Sequence, residues 1–206
     1  GAAIDLGSTT LAAHLCNLAN GEVVSSSSIM NPQIRFGEDL MSRVSYVMMH
    51  EEGAQQLTEA VRQSLQELLE ELIVNKEIDI TDILEISLVG NPIMHHLVLG
   101  INPVELGGAP FALASDRSIE LKALEIGLKL NPGTRLYILP CIAGHVGADA
   151  AGMILAEQPH FSNEMTLLVD VGTNAEIILG NDKRLLACSS PTGPAFEGAQ
   201  ISSGQR

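Results

Sequence analysis

Twice in this chain an apolar run stops at an Asp-x-Gly-Ser/Thr turn and then resumes. The first copy is Ile4-Asp5-Leu6-Gly7-Ser8-Thr9-Thr10 and the second is Val169-Asp170-Val171-Gly172-Thr173-Asn174. Apolar residues follow each turn, over 11–18 and 175–179. This pattern predicts two β-hairpins whose turns present an aspartate, a glycine and hydroxyl or amide donors. Glycine allows close backbone approach to an anion, and an aspartate suits Mg²⁺, which takes one or two carboxylates together with phosphate oxygens and water. A single Asp-Gly turn is an ordinary hairpin signal. Two copies about 165 residues apart, the second preceded by a Gly/Ala-rich segment, point instead to two lobes clamping one nucleotide.

The charge agrees with a small-molecule anion chelated by a metal rather than with a polyanion. At −14 over 206 residues, the chain repels a nucleic-acid backbone or an anionic membrane surface, and it lacks basic runs and aromatic series. No stretch approaches the ~20 apolar residues of a membrane span, and a secretory leader pattern is missing. Cys16, Cys141 and Cys188 are isolated and odd in number, which fits a reducing cytoplasm and argues against a locally bound cluster or zinc. The chain starts without Met inside a strand, and ends at Ser203-Gly204-Gln205-Arg206 soon after a Gly/Pro-rich stretch. Both ends suggest a piece of a longer protein.

Strands are expected over 2–7, 11–18 and 22–30, with Asn20-Gly21 at the second turn. Arg35-Phe36-Gly37-Glu38-Asp39 opens a helix to about Met49. Residues 51–75 show i, i+3, i+4 spacing through Leu57, Val61, Leu65, Leu68 and Leu72, with Glu and Gln opposite. A strand at 85–89 precedes a short helix with Asn91 as N-cap and Pro92 at N1. Loop-like sequence follows over 101–118, then a strand or turn near 119–121, a helix near 122–129 and a buried strand at 136–139. Residues 144–157 read as a Gly/Ala-rich helix. A second meander is expected over 166–171, 175–180 and 184–189.

This organisation resembles the superfamily of acetate and sugar kinases, heat-shock chaperones and actin, in which two ribonuclease-H-like domains each begin with a meander. Four further blocks narrow the resemblance: Met30-Asn31-Pro32-Gln33-Ile34-Arg35-Phe36-Gly37-Glu38-Asp39, Val89-Gly90-Asn91-Pro92-Ile93-Met94-His95-His96, the stretch from Leu139-Pro140-Cys141 to Gly147-Ala148-Asp149, and Thr192-Gly193-Pro194-Ala195-Phe196-Glu197-Gly198-Ala199. Together they resemble the ATP-binding portion of the ferredoxin-linked reductive activators of corrinoid proteins. The resemblance implies an α/β, actin-like ATPase fold. Its first ribonuclease-H-like domain, with a helical insertion, spans 1–143; a crossing helix and the first part of a second, incomplete domain span 144–206. It further implies ATP and Mg²⁺ as cofactors and ATP-dependent reduction of a Co(II) corrinoid on a partner methyltransferase-system protein. The electron comes from a separate donor through an iron–sulfur cluster outside this region, so this chain alone is expected to be inactive. Homodimerisation is one open option. Two rivals stand: a small-molecule kinase of the same superfamily, and an actin- or chaperone-like nucleotide switch.

In this reading Ser8, Thr9 and Thr10 donate to the β- and γ-phosphates beside Gly7, and Asp5 positions Mg²⁺ or its water. Asp170 orients metal or attacking water, and Thr173 and Asn174, beside Gly172, serve the terminal phosphate. Asp149, four residues after His145 and so on one face of a continuous helix, is a candidate general base or ligand of metal-bound water. The plainer reading of His145 is a solvent-facing or satisfied core histidine. Gly193 opens either a nucleotide-facing turn or a plain one. Adjacent His95 and His96 point about 100° apart on a helix and are ill placed to share an ion. Glu176 faces solvent or, less simply, a metal, and Arg35, Glu38 and Asp39 form a solvated helix start.

Overall fold

A computed structural model describes residues 1–74, 76–172 and 174–191. The first meander is a hairpin of β1 (Ala2–Leu6) and β2 (Thr10–Cys16), extended antiparallel by β3 (Val23–Met30). Its alternation is strict: Ala2, Ile4 and Leu6 of β1 and Leu11, Ala13 and Leu15 of β2 all face inward. That period of two commits one sheet face to the core. The chain then makes a 3-10 turn, Pro32–Arg35, and two helices, α1 (Leu40–Met49) and α2 (Gly53–Ile73). It returns as β4 (Glu85–Gly90), parallel to β1. Helix α3 (Pro92–Leu99), β5 (Ile119–Lys122) and β6 (Arg135–Ile138) complete a six-stranded sheet of order β3-β2-β1-β4-β6-β5, in which β6 is parallel to β4.

Helix α2 forms the other wall of this core. Leu57, Val61, Leu65, Leu68, Leu69 and Leu72 are buried along one stripe. On its wet face Gln55–Glu59, Gln63–Glu67 and Gln66–Glu70 pair at i, i+4 spacing. The serine-rich edge strand β3 rests on this helix, with the Ser25 hydroxyl donating to the Leu72 carbonyl and Ser27 to Glu71. Helix α4 (Ala148–Glu157) leads to a separate antiparallel sheet of β7 (Thr166–Val171), β8 (Asn174–Gly180) and β9 (Leu185–Pro191). The chain divides into two compact units, Gly1–Ala151 and Gly152–Arg206. Each is described by itself below.

Three sequence expectations need correction. The helix expected from 35–39 starts later: Asp39 is the N-cap of α1, accepting from the Ser42 amide at 2.8 Å while the Ser42 hydroxyl accepts from the Asp39 amide at 3.0 Å. The helix expected near 122–129 is only the 3-10 turn Ala123–Ile126, ended by Gly127 at φ 82°. The Gly/Ala-rich helix begins at Ala148, not at 144, because Ala143 and Val146 form a tight bridge first. His145 therefore lies in a turn and does not share a helix face with Asp149. Its ring meets Phe111 edge-on at 4.5 Å.

Candidate functional site

In the first unit three chain reversals gather at the carboxyl ends of the parallel strands β1 and β4, where open α/β sheets present their ligand crevices. They are the β1–β2 turn at Gly7-Ser8-Thr9, the β4–α3 junction at Gly90-Asn91, and the start of α4. Gly90 pairs with Leu6 across the sheet. A Cβ on Gly147 would lie 2.6 Å from the Gly90 carbonyl, from Asn91 Cα and from a carboxylate oxygen of Asp149. Asp149 thus stands beside the β4–α3 junction. A Cβ on Gly7 would strike the Thr10 carbonyl, so this turn admits only glycine without rearrangement.

The turn is held from beneath by side chains of other elements. Asn31, fully buried, donates through Nδ2 to the Gly7 carbonyl at 2.9 Å, and its backbone amide donates to the Thr9 carbonyl at 2.8 Å. Asn91 caps α3 through Oδ1 to the Met94 amide at 3.1 Å and donates through Nδ2 to the Ser8 hydroxyl at 2.7 Å. Arg43, also fully buried, donates to three places: Nε to the Gly37 carbonyl at 2.9 Å, one terminal nitrogen to Met94 Sδ at 3.0 Å, and the other to the Ser8 carbonyl. Burial pulls its pKa down to about 10, opposed by the charge of Asp39. It therefore stays a cation at neutral pH.

Asp5 is exposed on β1, opposite Ala12 and Val89. Ser8 is half-buried, and Thr9 and Thr10 are exposed. Two carboxylates, a hydroxyl-rich turn and two glycines whose Cβ positions are filled by backbone form a hard-oxygen donor set with close access. These residues fit a magnesium–phosphate group. Asp5, or Asp5 with Asp149, would hold the ion, and the Ser8–Thr10 turn would face the phosphates.

In the second unit Asp170 lies on β7 opposite Glu176, and the Gly172 amide donates to the Asn174 carbonyl at 2.8 Å. Asp170, Gly172 and Asn174 are all exposed. Glu176 does not face solvent as a strand alternation suggested. It is buried, and its carboxylate accepts from the Ser189 hydroxyl at 3.1 Å. Thr173 and Gly193 lie outside the described residues.

The histidines of α3 belong to the core. His96 Nε2 accepts from the Ala114 amide at 3.1 Å, so Nδ1 carries the proton and donates to the Pro92 carbonyl at 2.7 Å. His95 is buried with neither ring nitrogen partnered among the described residues. Burial, with the neighbouring His96 second, drives its pKa down to about 4. Burial likewise raises the Cys141 thiol to about 12, which makes it unreactive.

Sequence reasoning missed Arg43 and gave Asn31 and Asn91 no role toward the turn. A signal for Arg43 was present: it falls between Leu40, Val44 and Val47 on the apolar stripe of α1, where an arginine has to find polar partners.

Residues 1–162 match the family described as the RACo middle region, and residues 164–206 match the C-terminal domain of RACo, the ASKHA domain. The chain belongs to the RACo family. Corrinoid activation enzyme RamQ of Eubacterium limosum is 35% identical over 206 residues, covering 100% of this chain and 34% of that protein. The Co(II) methylated amine-specific corrinoid protein reductase of Methanosarcina barkeri is 26% identical over 213 residues, covering 99% and 38%. The solved structure of a reductive activator for corrinoid, iron-sulfur protein superposes with a TM-score of 0.91 at 36% identity, over 100% of this chain and 33% of that one. The chain thus spans about a third of the RACo relatives it matches. A 2-dehydro-3-deoxygalactonokinase structure from Sinorhizobium meliloti, with a TM-score of 0.54 at 13% identity, shares the fold alone. The architecture is the mixed α/β, actin-like ATPase fold that the resemblance implied, a nucleotide-binding fold. Among the described residues no helix is long and apolar enough to cross a membrane.

Proposed function

We propose that this chain is the nucleotide-binding module of a corrinoid reductive activator, taking Mg-ATP with residues of the Asp5 and Asp170 turns. The observation that carries the reading is the β1–β2 turn, where Gly7, Ser8 and Thr9 are held by Asn31, Arg43 and Asn91 at the strand ends beside Gly147 and Asp149. Asp5 binds the metal, Ser8, Thr9 and Thr10 donate to phosphate oxygens, and Asp170 with Thr173 and Asn174 serves the terminal phosphate from the second unit. Asp149 acts as base or as acceptor for metal-bound water, and Gly193 is assigned to nucleotide binding on the family resemblance alone. The domain division follows the same reading, with a first ribonuclease-H-like domain to residue 143 and a crossing helix opening the second. The names of RamQ and of the two other relatives point to a corrinoid protein as the partner. The supported event is a one-electron reduction of Co(II), with the electron supplied by a donor outside this chain.

The test uses the full-length protein with a corrinoid protein in the Co(II) state and a chemical reductant, following loss of the Co(II) absorption with and without ATP. ATP should accelerate the loss. Asp5→Ala and Asp170→Ala should each weaken Mg-ATP binding by about 2–4 kcal/mol, the scale of removing one charge-assisted interaction. Equal rates with and without ATP in the wild type would end the activator reading. Unchanged calorimetric affinity in both variants would end the assignment of both turns to nucleotide.

A further inference from the structure

We infer that Arg43 and Asn31 are positioning residues that fix the backbone of the β1–β2 turn so that two successive amides, those of Ser8 and Thr9, face the bound phosphates. The inference rests on the nucleotide reading of this turn.

A peptide unit is planar and trans, so its C=O and N–H point in opposite directions. Whatever holds the carbonyl therefore aims the amide. The Gly7 carbonyl, which shares a peptide unit with the Ser8 amide, accepts from Asn31 Nδ2 at 2.9 Å. The Ser8 carbonyl, which shares a unit with the Thr9 amide, accepts from the guanidinium of Arg43. Both donors are fully buried, so both carbonyls are drawn inward and both amides turn outward. Successive amides aimed at one place make an anion-binding nest, and fixing them beforehand removes the ordering cost from the binding step. The Thr9 carbonyl, taken by the Asn31 amide at 2.8 Å, closes the far side of the turn.

Arg43 suits this place because its planar fork serves acceptors in three directions: Gly37, Met94 and Ser8. An ammonium carries the same charge but cannot reach all three. Asn31 is likewise divided. Its Oδ1 caps the 3-10 turn through the Gln33 amide at 3.0 Å, while its Nδ2 reaches Gly7. Asn31→Ser keeps a capping oxygen and removes the longer Nδ2 arm that reaches the Gly7 carbonyl.

The experiment measures Mg-ATP affinity and melting temperature in the full-length protein for Arg43→Lys, Arg43→Met and Asn31→Ser, with Leu68→Ala as a destabilised control away from the turn. Each of the first three should weaken Mg-ATP about tenfold or more, while Leu68→Ala stays within threefold of wild type. Wild-type affinity in Arg43→Lys would overturn the inference, because charge alone would then suffice. An equal loss in Leu68→Ala would also overturn it, since general loosening would explain the effect. If Arg43→Met does not fold, Asn31→Ser decides by the same criterion. A wild type that binds no Mg-ATP removes the nucleotide reading itself and this inference with it. A wild type that binds, with unchanged variants, removes only the inference.

Discussion

The Asp5 turn and the Asp170 turn carry the same short pattern, yet they are embedded differently. Around the first, Asn31, Arg43 and Asn91 reach in from a 3-10 turn, α1 and the β4–α3 junction, and the sheet beneath it packs one face against α2. The second tops a three-stranded meander that carries an exposed apolar set among the described residues: Leu167, Val169 and Val171 of β7, Leu179 of β8 and Leu186 of β9. A local motif specifies the hairpin in both places. What stiffens a hairpin into a preorganised site comes from distant sequence.

The largest expected effect tests that contrast directly. In this 206-residue chain Leu68→Ala should cost about 2–5 kcal/mol in denaturant unfolding, because it empties a fully enclosed position. Val169→Ala should cost within about 0.5 kcal/mol, as surface changes do, since Val169 is 48% exposed. A Val169→Ala cost near that of Leu68→Ala would mean that the meander face is covered in solution, and the two regions would no longer differ.

Acid should act on the first unit through α3. His95 has an ordinary pKa of 6.5 and a folded value of about 4. Above pH 6.5 the ring is neutral in both states and contributes no pH dependence. As pH falls from 6.5 towards 4, the unfolded chain takes up a proton that the folded chain refuses, so stability is lost. The full loss is about 3 kcal/mol at 1.36 kcal/mol per pKa unit, of which roughly 1 kcal/mol is reached by pH 5.5. His96, also lowered by burial, acts in the same sense. Stability measured from pH 7 to 5.5 should therefore fall less steeply in His95→Leu than in wild type. Identical slopes would show that His95 takes up its proton as readily in the folded protein as in the unfolded chain.

The glycines of the two turns give a smaller contrast. Gly7→Ala places a methyl against the Thr10 carbonyl and should cost about 1–3 kcal/mol, the scale of overpacking. At Gly172 the nearest described atom to such a methyl is the Asn174 carbonyl oxygen at 3.7 Å, an ordinary contact. Gly172→Ala should cost less than Gly7→Ala by at least about 1 kcal/mol. Equal costs in thermal or denaturant unfolding would show that both turns are equally tight.

Much of the architecture was legible because it rests on short-range periodicity. The two meanders, the long α2 stripe and the Asn91-Pro92 helix start all follow from alternation, i, i+4 spacing and capping chemistry. The errors lie where tertiary contacts override propensity. Gly144 and Gly147 are small enough for helix packing, but a Cβ at Gly144 would strike the Phe111 carbonyl and Gly147 is pressed against Gly90 and Asn91. The helix therefore starts only at Ala148, which is itself buried with Leu139 and Cys141. Glu176 was misplaced for a related reason, since a strand pattern alone cannot say that Ser189 on the next strand receives it. The first turn was legible as a motif, whereas its buried supports were not, because their partners are 24 and 35 positions away in sequence.

The smallest effect separates capping from site-building within the first region. Asp39 and Asn91 are both N-caps, and each accepts from an amide three residues on, at 2.8 and 3.1 Å. Replacing either with alanine should cost about 1 kcal/mol in stability, the usual loss of a side-chain cap. Asn91 also makes a direct 2.7 Å bond to the Ser8 hydroxyl, whereas Asp39 is exposed, closes its box with Ser42 and touches no atom of the turn, acting on it only through its charge on Arg43. In the full-length protein Asn91→Ala should therefore weaken Mg-ATP a further severalfold, from loss of one hydrogen bond to the turn worth about 0.5–1.5 kcal/mol. Asp39→Ala should leave that affinity within about twofold, well under the worth of one hydrogen bond. Calorimetry alongside denaturation reads both quantities for both variants. If Asp39→Ala reduces nucleotide affinity as much as Asn91→Ala, the turn responds to α1 as a whole, and its rigidity is a property of the unit rather than of the side chains that touch it. If neither variant changes affinity, the Ser8 hydroxyl takes no part in holding nucleotide, and its bond to Asn91 serves only to pin β4 against β1.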